Sequence, residues 1–267
     1  MCALERIAII SDIHGNLPAL EAVLQDIERR GLTRILCLGD LVGKGPSAAE
    51  VVDLVRTTCE SVVQGNWDLG ITDPQEQPAG IWQQQALGEA RLDYLKQLPF
   101  SIDITLSGKR IRLFHASAKS VFHRLKRKAS KKERLAMFQH TKKTGIPVDG
   151  ITPDMVGYGD IHIPYLLTLN NPSEKGGKNK GENTGPRSGL QLFNVGSVGL
   201  PYDGLPQACY CIIEGEADPD AHAGFALQFV RVPYDIARAV RMAYEAQMPE
   251  CRRYELEIST GLVHLGE

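Results

Sequence analysis

The sequence predicts an α/β fold built on parallel strands, and three observations carry that reading. Ile7, Ala8, Ile9 and Ile10 form an apolar run that stops abruptly at Ser11-Asp12-Ile13-His14-Gly15, as a strand covered on both faces would. The period then changes. Leu17, Leu20, Val23, Leu24 and Ile27 recur at helical spacing up to Gly31, and Arg34 to Leu38 resume a strand, so the order is strand, helix, strand. The unit repeats once more, with a helix from about Ser47 to Thr57 and a strand from Ser61 to Gln64. Three successive strands thus end in polar groups: Asp12 with His14, Asp40, and Asn66. In a parallel sheet these tips share one edge, where ligands collect.

Asn16 is placed to cap the first helix, with Pro18 in its first turn. A longer helical stretch, Ala79 to Leu98, has Ile81, Trp82, Leu87, Tyr94 and Leu95 on its apolar face and is stopped by Pro99. Ser107-Gly108 reads as the turn of a hairpin, so the later sheet is expected to be antiparallel or mixed. Its second strand, Ile111 to Phe114, delivers His115. Val156 to Gly159 leads into Asp160 and His162, again two apart, as are Asp12 and His14. Side chains two apart leave an extended backbone on the same side, so one cation could take both. Tyr165 to Leu169, Gln191 to Phe193, Ala208 to Ile213 and Ala226 to Val232 complete the strands, and Tyr234 to Gln247 reads as a terminal helix. The remaining tail, with Arg252 and Arg253, shows no motif.

Composition narrows the classes. The 267 residues suit one large α/β domain, and no interior linker divides it. A net charge of −2 provides no global attraction to nucleic acid or anionic lipid. No apolar stretch approaches the roughly 20 residues of a membrane helix, and Glu5 and Arg6 interrupt any secretory apolar region, so a cytoplasmic protein is expected. Six scattered cysteines are assigned to packing, including Cys209-x-Cys211, which has no second close pair to complete a zinc site. Charge is concentrated locally. Residues 119–143 carry ten Lys or Arg against Glu133 alone, with Ser130 and Glu133 at capping-box spacing. A basic helical lid that attracts phosphate is one reading, a solvated helix face the other. Residues 171–189 are rich in Gly, Asn and Lys and are expected to form a mobile hairpin loop.

Collected, the polar tips are Asp12, His14, Asp40, Asn66, His115, Asp160 and His162. Carboxylates, an amide and imidazoles without thiolate suit manganese, iron or zinc. Two such cations about 3.5–4 Å apart would activate a water and neutralise a phosphoryl transition state. Asp40, alone at the central tip, is the natural shared ligand.

These residues resemble those of the calcineurin-like metallophosphoesterases, in particular the small bacterial and archaeal predicted phosphodiesterases. The likeness covers most of the chain: Asp-Ile-His-Gly-Asn at 12–16, Gly-Asp-Leu-Val-Gly at 39–43, Gly-Asn-Trp-Asp at 65–68, His115, Gly-Asp-Ile-His at 159–162 and Asn-Val-Gly-Ser-Val-Gly at 194–199. It implies a four-layer α/β/β/α sandwich of two mixed sheets flanked by helices. It also implies two divalent cations, manganese first, with iron, zinc or nickel as alternatives. By position, Asp12, His14, Asp40 and His162 would form one metal site and Asp40, Asn66, His115 and Asp160 the other. The implied activity is hydrolysis of a small phosphorylated substrate, such as a nucleotide, through in-line attack by a metal-bridging hydroxide. Asp40 and Asn66 would take part in catalysis; Asn66, Lys44, Lys126 and Arg127 would contact substrate.

Two positions depart from the pattern. Asp160 stands where the family commonly has histidine, and Trp67 where many members have a histidine that protonates the leaving group or contacts phosphate. Tryptophan is no acid near neutral pH, so leaving groups of low basicity are favoured: phosphoanhydride nucleotides, aryl esters, activated diesters. The competing reading is a scaffold of the same fold with weak or absent catalysis. Direct nucleic-acid binding rests on the basic segment alone and is disfavoured. A homo-oligomer is compatible with everything in the sequence.

Overall fold

A computed structural model describes residues 4–170, 189–218 and 223–265. The first half alternates as expected: β1 (Leu4–Ile10), α1 (Leu17–Arg29), β2 (Arg34–Cys37), α2 (Ala48–Thr58), β3 (Ser61–Val62), then the short α3 (Asn66–Gly70) and the long α4 (Pro78–Gln97). The second half holds β4 (Ser101–Leu106), β5 (Lys109–Phe114), α5 (Lys131–Ala136), β6 (Met155–Tyr158), β7 (Tyr165–Leu169), β8 (Leu190–Asn194), β9 (Ala208–Glu216), β10 (Ala226–Val232), α6 (Ile236–Glu245) and α7 (Cys251–Thr260).

The strands form two mixed sheets, ordered β10-β9-β1-β2-β3 and β4-β5-β6-β8-β7. β1 pairs parallel with β2, and β2 with β3, while β9 is antiparallel to both β1 and β10. In the second sheet β5, β6 and β8 are parallel, with β4 and β7 antiparallel at the edges. Strand alternation sorts the cores. Ile7 and Ile9 point between the sheets to meet Ile111, Leu113, Met155 and Phe193, whereas Ala8 and Ile10 face Leu20, Val23, Val51 and Val55 of α1 and α2. The apolar run of β1 is therefore continuous because both its faces are covered. Asn16 caps α1 by accepting from Ala19 N–H (3.2 Å).

Three expectations need correction. The stretch 79–98 is not one continuous helix: Gly88 adopts φ 67° and kinks α4, leaving Ile81 exposed while Leu87 and Leu95 are buried. The basic segment 119–143 has little helix, only α5. Ser117 and Ser120 hydroxyls take up the N–H groups of Lys119, Ser120 and Phe122, local bonds that compete with a helix. The segment is nonetheless packed, with Leu125, Met137 and Phe138 against Val156, Tyr158 and Leu192 on the outer face of the second sheet. The tail is also structured: α7 and α6 enclose Leu200, Met248, Tyr254 and Ile258. Of the loop expected at 171–189, residues 171–188 lie outside the described residues. Among the described residues no helix is long and apolar enough to cross a membrane.

Candidate metal centre

The strand tips meet at one edge of the sandwich, but not through extended backbone. β1 ends at Ile10, and Asp12 and His14 both lie in turns at positive φ (54° and 51°), as do Asp40 (53°), Asp160 (62°) and His162 (59°). Five non-glycine residues in the left-handed region, each at a cost of about 1–3 kcal/mol, mark a place where the surroundings over-determine the backbone. Those surroundings are visible. Asp12, Ile13, His14 and Gly15 donate their N–H groups to the carbonyls of Gly39, Asp40 and Leu41, so two loops run side by side (2.9–3.0 Å). Ser197 Oγ and Gly199 N–H hold the Asp12 carbonyl (2.7 and 3.0 Å), which gives the 194–199 turn its purpose. A Cβ on Gly65 would strike Asp40, and one on Gly159 would strike Ser11 and Asp12.

All seven predicted polar tips converge. Asp12, His14, Asp40, His115, Asp160 and His162 are each at least nine-tenths buried. Each histidine turns Nδ1 to a backbone carbonyl: His14 to Val42 (3.0 Å), His115 to Leu38 (2.8 Å) and His162 to Leu200 (2.6 Å). This directs each Nδ1–H to the backbone and turns each Nε2 inward. There the imidazoles meet acceptors. His14 Nε2 is 3.3 Å from His162 Nε2 and 3.6 Å from Asp40 Oδ2; His162 Nε2 is 3.2 Å from Asp12 Oδ1. His115 Nε2 is 2.9 Å from Asn66 Oδ1, 3.4 Å from Asp40 Oδ2 and 4.0 Å from Asp160 Oδ1. Asp12, His14 and His162 form one group whose donor atoms lie within 4.8 Å of one another; Asp12, Asp40 and His115 form another. Asp12 is common to both, and Asp40 Oδ2 lies between the two groups, close to His14 and His115 alike.

A buried cluster made almost entirely of acceptors is stable only around positive charge. His115 registers that demand: burial would lower its pKa, but the carboxylates of Asp40, Asp12 and Asp160 push it up to about 10. Burial, with the charge of His162, drives His14 the other way. Asp12 is held below the usual carboxylate range, because His162, His115 and His14 outweigh its burial, whereas burial leaves Asp40 raised. Oxygen and imidazole donors in two adjoining groups, with no thiol among them, fit divalent cations.

Several contributors escaped sequence reasoning. Arg124 grips Asp160, Nη2 to Oδ1 at 2.8 Å and Nε to both oxygens at 3.0–3.1 Å. Lys126 and Arg127, the predicted contacts from the same segment, are exposed; Arg124 is the residue that reaches the cluster. Asp68 lies beneath the site and accepts N–H groups from Asp40 (2.8 Å), Leu41 (2.9 Å) and Gly65 (2.9 Å). Burial, with Asp40 adding to it, pushes Asp68 up to about 7. Tyr202 stacks on His162 with centroids 4.7 Å apart. Lys44 stands at the rim, its Nζ engaged by Tyr202 Oη (2.7 Å) and Glu257 (3.3 Å). Trp67 is 39% exposed, set edge-on to His14 with centroids 6.0 Å apart and lying over Gly43. Asp68 was visible as the last residue of the Gly-Asn-Trp-Asp run at 65–68. For Arg124 the only hint was its place next to buried Leu125.

Two mixed sheets with an acid-and-imidazole cluster at their common edge define a class of metal-dependent hydrolytic folds. Residues 6–218 match the calcineurin-like phosphoesterase superfamily domain, and the chain belongs to that superfamily. An uncharacterized protein of Methanocaldococcus jannaschii is 33% identical over 261 residues, covering 91% of this chain and 94% of that one. The structure of a metallophosphoesterase from Sphaerobacter thermophilus superposes with a TM-score of 0.73 at 29% identity, covering 97% of this chain and 99% of the other. A shorter likeness, 42% over 64 residues and 23% of each chain, links it to a symmetrical bis(5'-nucleosyl)-tetraphosphatase of Cronobacter sakazakii.

Proposed function

We propose that this protein is a metal-dependent hydrolase of phosphoesters with good leaving groups, nucleotides foremost. Asp12, His14, Asp40 and His162 hold one divalent cation in this reading, and Asp40, Asn66, His115 and Asp160 a second, with manganese the first candidate. The observation that carries it is the set of three imidazoles, each fixed through Nδ1 to a carbonyl and aiming Nε2 at buried carboxylates. Bound cations would supply Lewis acidity and an activated water. The chain contributes the rest. Asn66, its Oδ1 turned to His115, keeps an amide donor for a phosphoryl oxygen, and Arg124 adds positive charge at the rim. Trp67 offers no proton, so the departing group must leave without an acid at that position. The partial likeness to a tetraphosphatase supports a phosphoanhydride nucleotide, a dinucleoside polyphosphate being the most specific version.

The grip of Arg124 on Asp160 favours a second reading, a scaffold that keeps the fold and one cation without turnover. Elemental analysis of the purified protein, with turnover measured on phosphomonoesters, diesters and dinucleotides, separates the two. Two metals with nucleotide hydrolysis are expected; metal bound without turnover of any substrate sinks the hydrolase reading.

A further inference from the structure

Beside the cluster opens a cavity of about 550 Å³, within the range of small-molecule sites. It is bounded by α3, the start of α4, α7 and the turn before α7, and it meets the cluster through Asn66, Trp67 and Lys44. Its walls combine three features. Trp67, Trp82 and Tyr254 give it aromatic surface, backed by Ile71 and Met248. Its charges are internally matched: Lys44 and Arg253 share Glu257 (3.3 and 3.2 Å), and Arg253 also reaches Glu250 (3.6 Å). Tyr254, 2% exposed, has a hydroxyl without a hydrogen-bond partner, while Gln83 adds a fixed amide whose oxygen accepts from Gly43 N–H (3.0 Å).

Matched charges give no hold on a second phosphate, a carboxylate or an ammonium group. An aliphatic chain would leave the Tyr254 hydroxyl unsatisfied. A flat ring with polar edges answers all three features, since aromatic walls take a π-face and the hydroxyl and amide take the edge. We propose that this cavity binds the nucleobase of a nucleotide whose phosphate lies at the Asp12–His162 cluster, with Trp67 and Trp82 against the ring and Tyr254 hydrogen-bonded to its edge. The proposal rests on the hydrolase reading for the phosphate but not for the base.

The chain's two tryptophans both line this cavity, so intrinsic tryptophan fluorescence reports on it, Trp67 also sensing the cluster through His14 and Trp82 the cavity. The metal-loaded protein is titrated with adenosine, uridine and ribose, with calorimetry alongside, and hydrolysis of tripolyphosphate, a phosphoanhydride without a ring, is assayed in parallel. Saturable quenching by a nucleoside and not by ribose is expected, weakened about tenfold by Trp82→Ala. Tyr254→Phe, which keeps the packed ring, should weaken it about fivefold by removing one hydrogen bond. Neither quenching nor heat with either nucleoside at millimolar concentration, with tripolyphosphate hydrolysed, overturns the cavity assignment and leaves the hydrolase standing. Nucleoside binding without turnover of any phosphoester overturns the hydrolase and leaves the cavity.

Discussion

Arg124 clasps Asp160 with two of its guanidinium nitrogens, 2.8–3.1 Å from the carboxylate, and among the described residues it is the one lysine or arginine paired with the acids of the cluster. Half of its side chain remains exposed, so it can meet an arriving anion as well as the carboxylate. Asp160 is where the resemblance leads one to expect histidine, and the arginine offsets the negative charge that this exchange adds.

Arg124→Ala should therefore act in two opposite directions. Divalent cations should bind about tenfold more tightly, because a like charge has gone. The KM for dianionic substrates should rise about tenfold, because an attraction has gone with it. Metal titration by calorimetry and steady-state kinetics check both. A rise in KM with unchanged metal affinity would mean that Asp160 is not a ligand.

Asp40→Asn tests the shared position. Asp40 Oδ2 stands 3.6 Å from His14 Nε2 and 3.4 Å from His115 Nε2, close to both imidazole groups. The amide is a weaker ligand and removes one negative charge, so at least one metal should be lost and kcat should fall about 10³-fold or more. Full retention of both metals by elemental analysis would refute the shared role.

How far the site could be read before the structure follows from what kind of signal each residue leaves. Asp12, His14, Asp40, Asn66, His115, Asp160 and His162 each end an apolar run, and parallel topology forces such ends together, so their convergence was legible. The left-handed backbone of Asp12, His14, Asp40, Asp160 and His162 was not, since a polar residue in a turn carries no mark of its φ. In the basic segment a run of charge gives sign without position. Lys126 and Arg127 were the expected contacts, but Leu125, buried against the second sheet, anchors its neighbour Arg124, which reaches Asp160. α7 was overlooked because Cys251, Tyr254, Leu256 and Ile258, its apolar positions, are diluted by Arg252, Arg253, Glu255 and Glu257.

Asp68→Asn should destabilise the protein with little chemistry of its own. The carboxylate accepts three backbone N–H groups, from Asp40, Leu41 and Gly65, using both oxygens. An amide must turn N–H against one of those donors, leaving a buried group unpaired at about 1–3 kcal/mol. Thermal melting of the metal-loaded protein should show the loss, with the Asp40 loop loosened. An unchanged Tm would mean that these three bonds are dispensable.

Glu257→Gln removes the acid that Lys44 and Arg253 share. Glu257 is 1% exposed, and although burial opposes it, Lys44, the Tyr202 hydroxyl and Arg253 hold its carboxyl below the ordinary value. A carboxyl depressed on folding stabilises above its unfolded pKa and loses that contribution as pH falls through the acid range. The native protein should thus lose stability below about pH 4.5 faster than the variant. At neutral pH the variant should be about 3 kcal/mol less stable, because Lys44 is left partly buried without its partner. Denaturant melts across pH decide the point, and parallel curves for the two proteins would show that Glu257 does not titrate with folding.

Trp67→His bears on both halves of the proposed site. The indole lies edge-on to His14 and lines the cavity, so an imidazole in its place stands next to Asn66 while withdrawing one aromatic wall. As a general acid it should speed departure of basic leaving groups by about 10²-fold where protonation limits the rate, and do little for activated ones. The loss of the indole should weaken nucleoside binding about tenfold. The diagnostic is a ratio: alkyl against p-nitrophenyl esters for the chemistry, and nucleotide against tripolyphosphate KM for the wall. A rise confined to alkyl esters, together with a nucleotide KM raised relative to tripolyphosphate, is the expected pattern. An equal change in both esters would point instead to altered metal or phosphate binding, and an unchanged nucleotide KM would take Trp67 out of the base site.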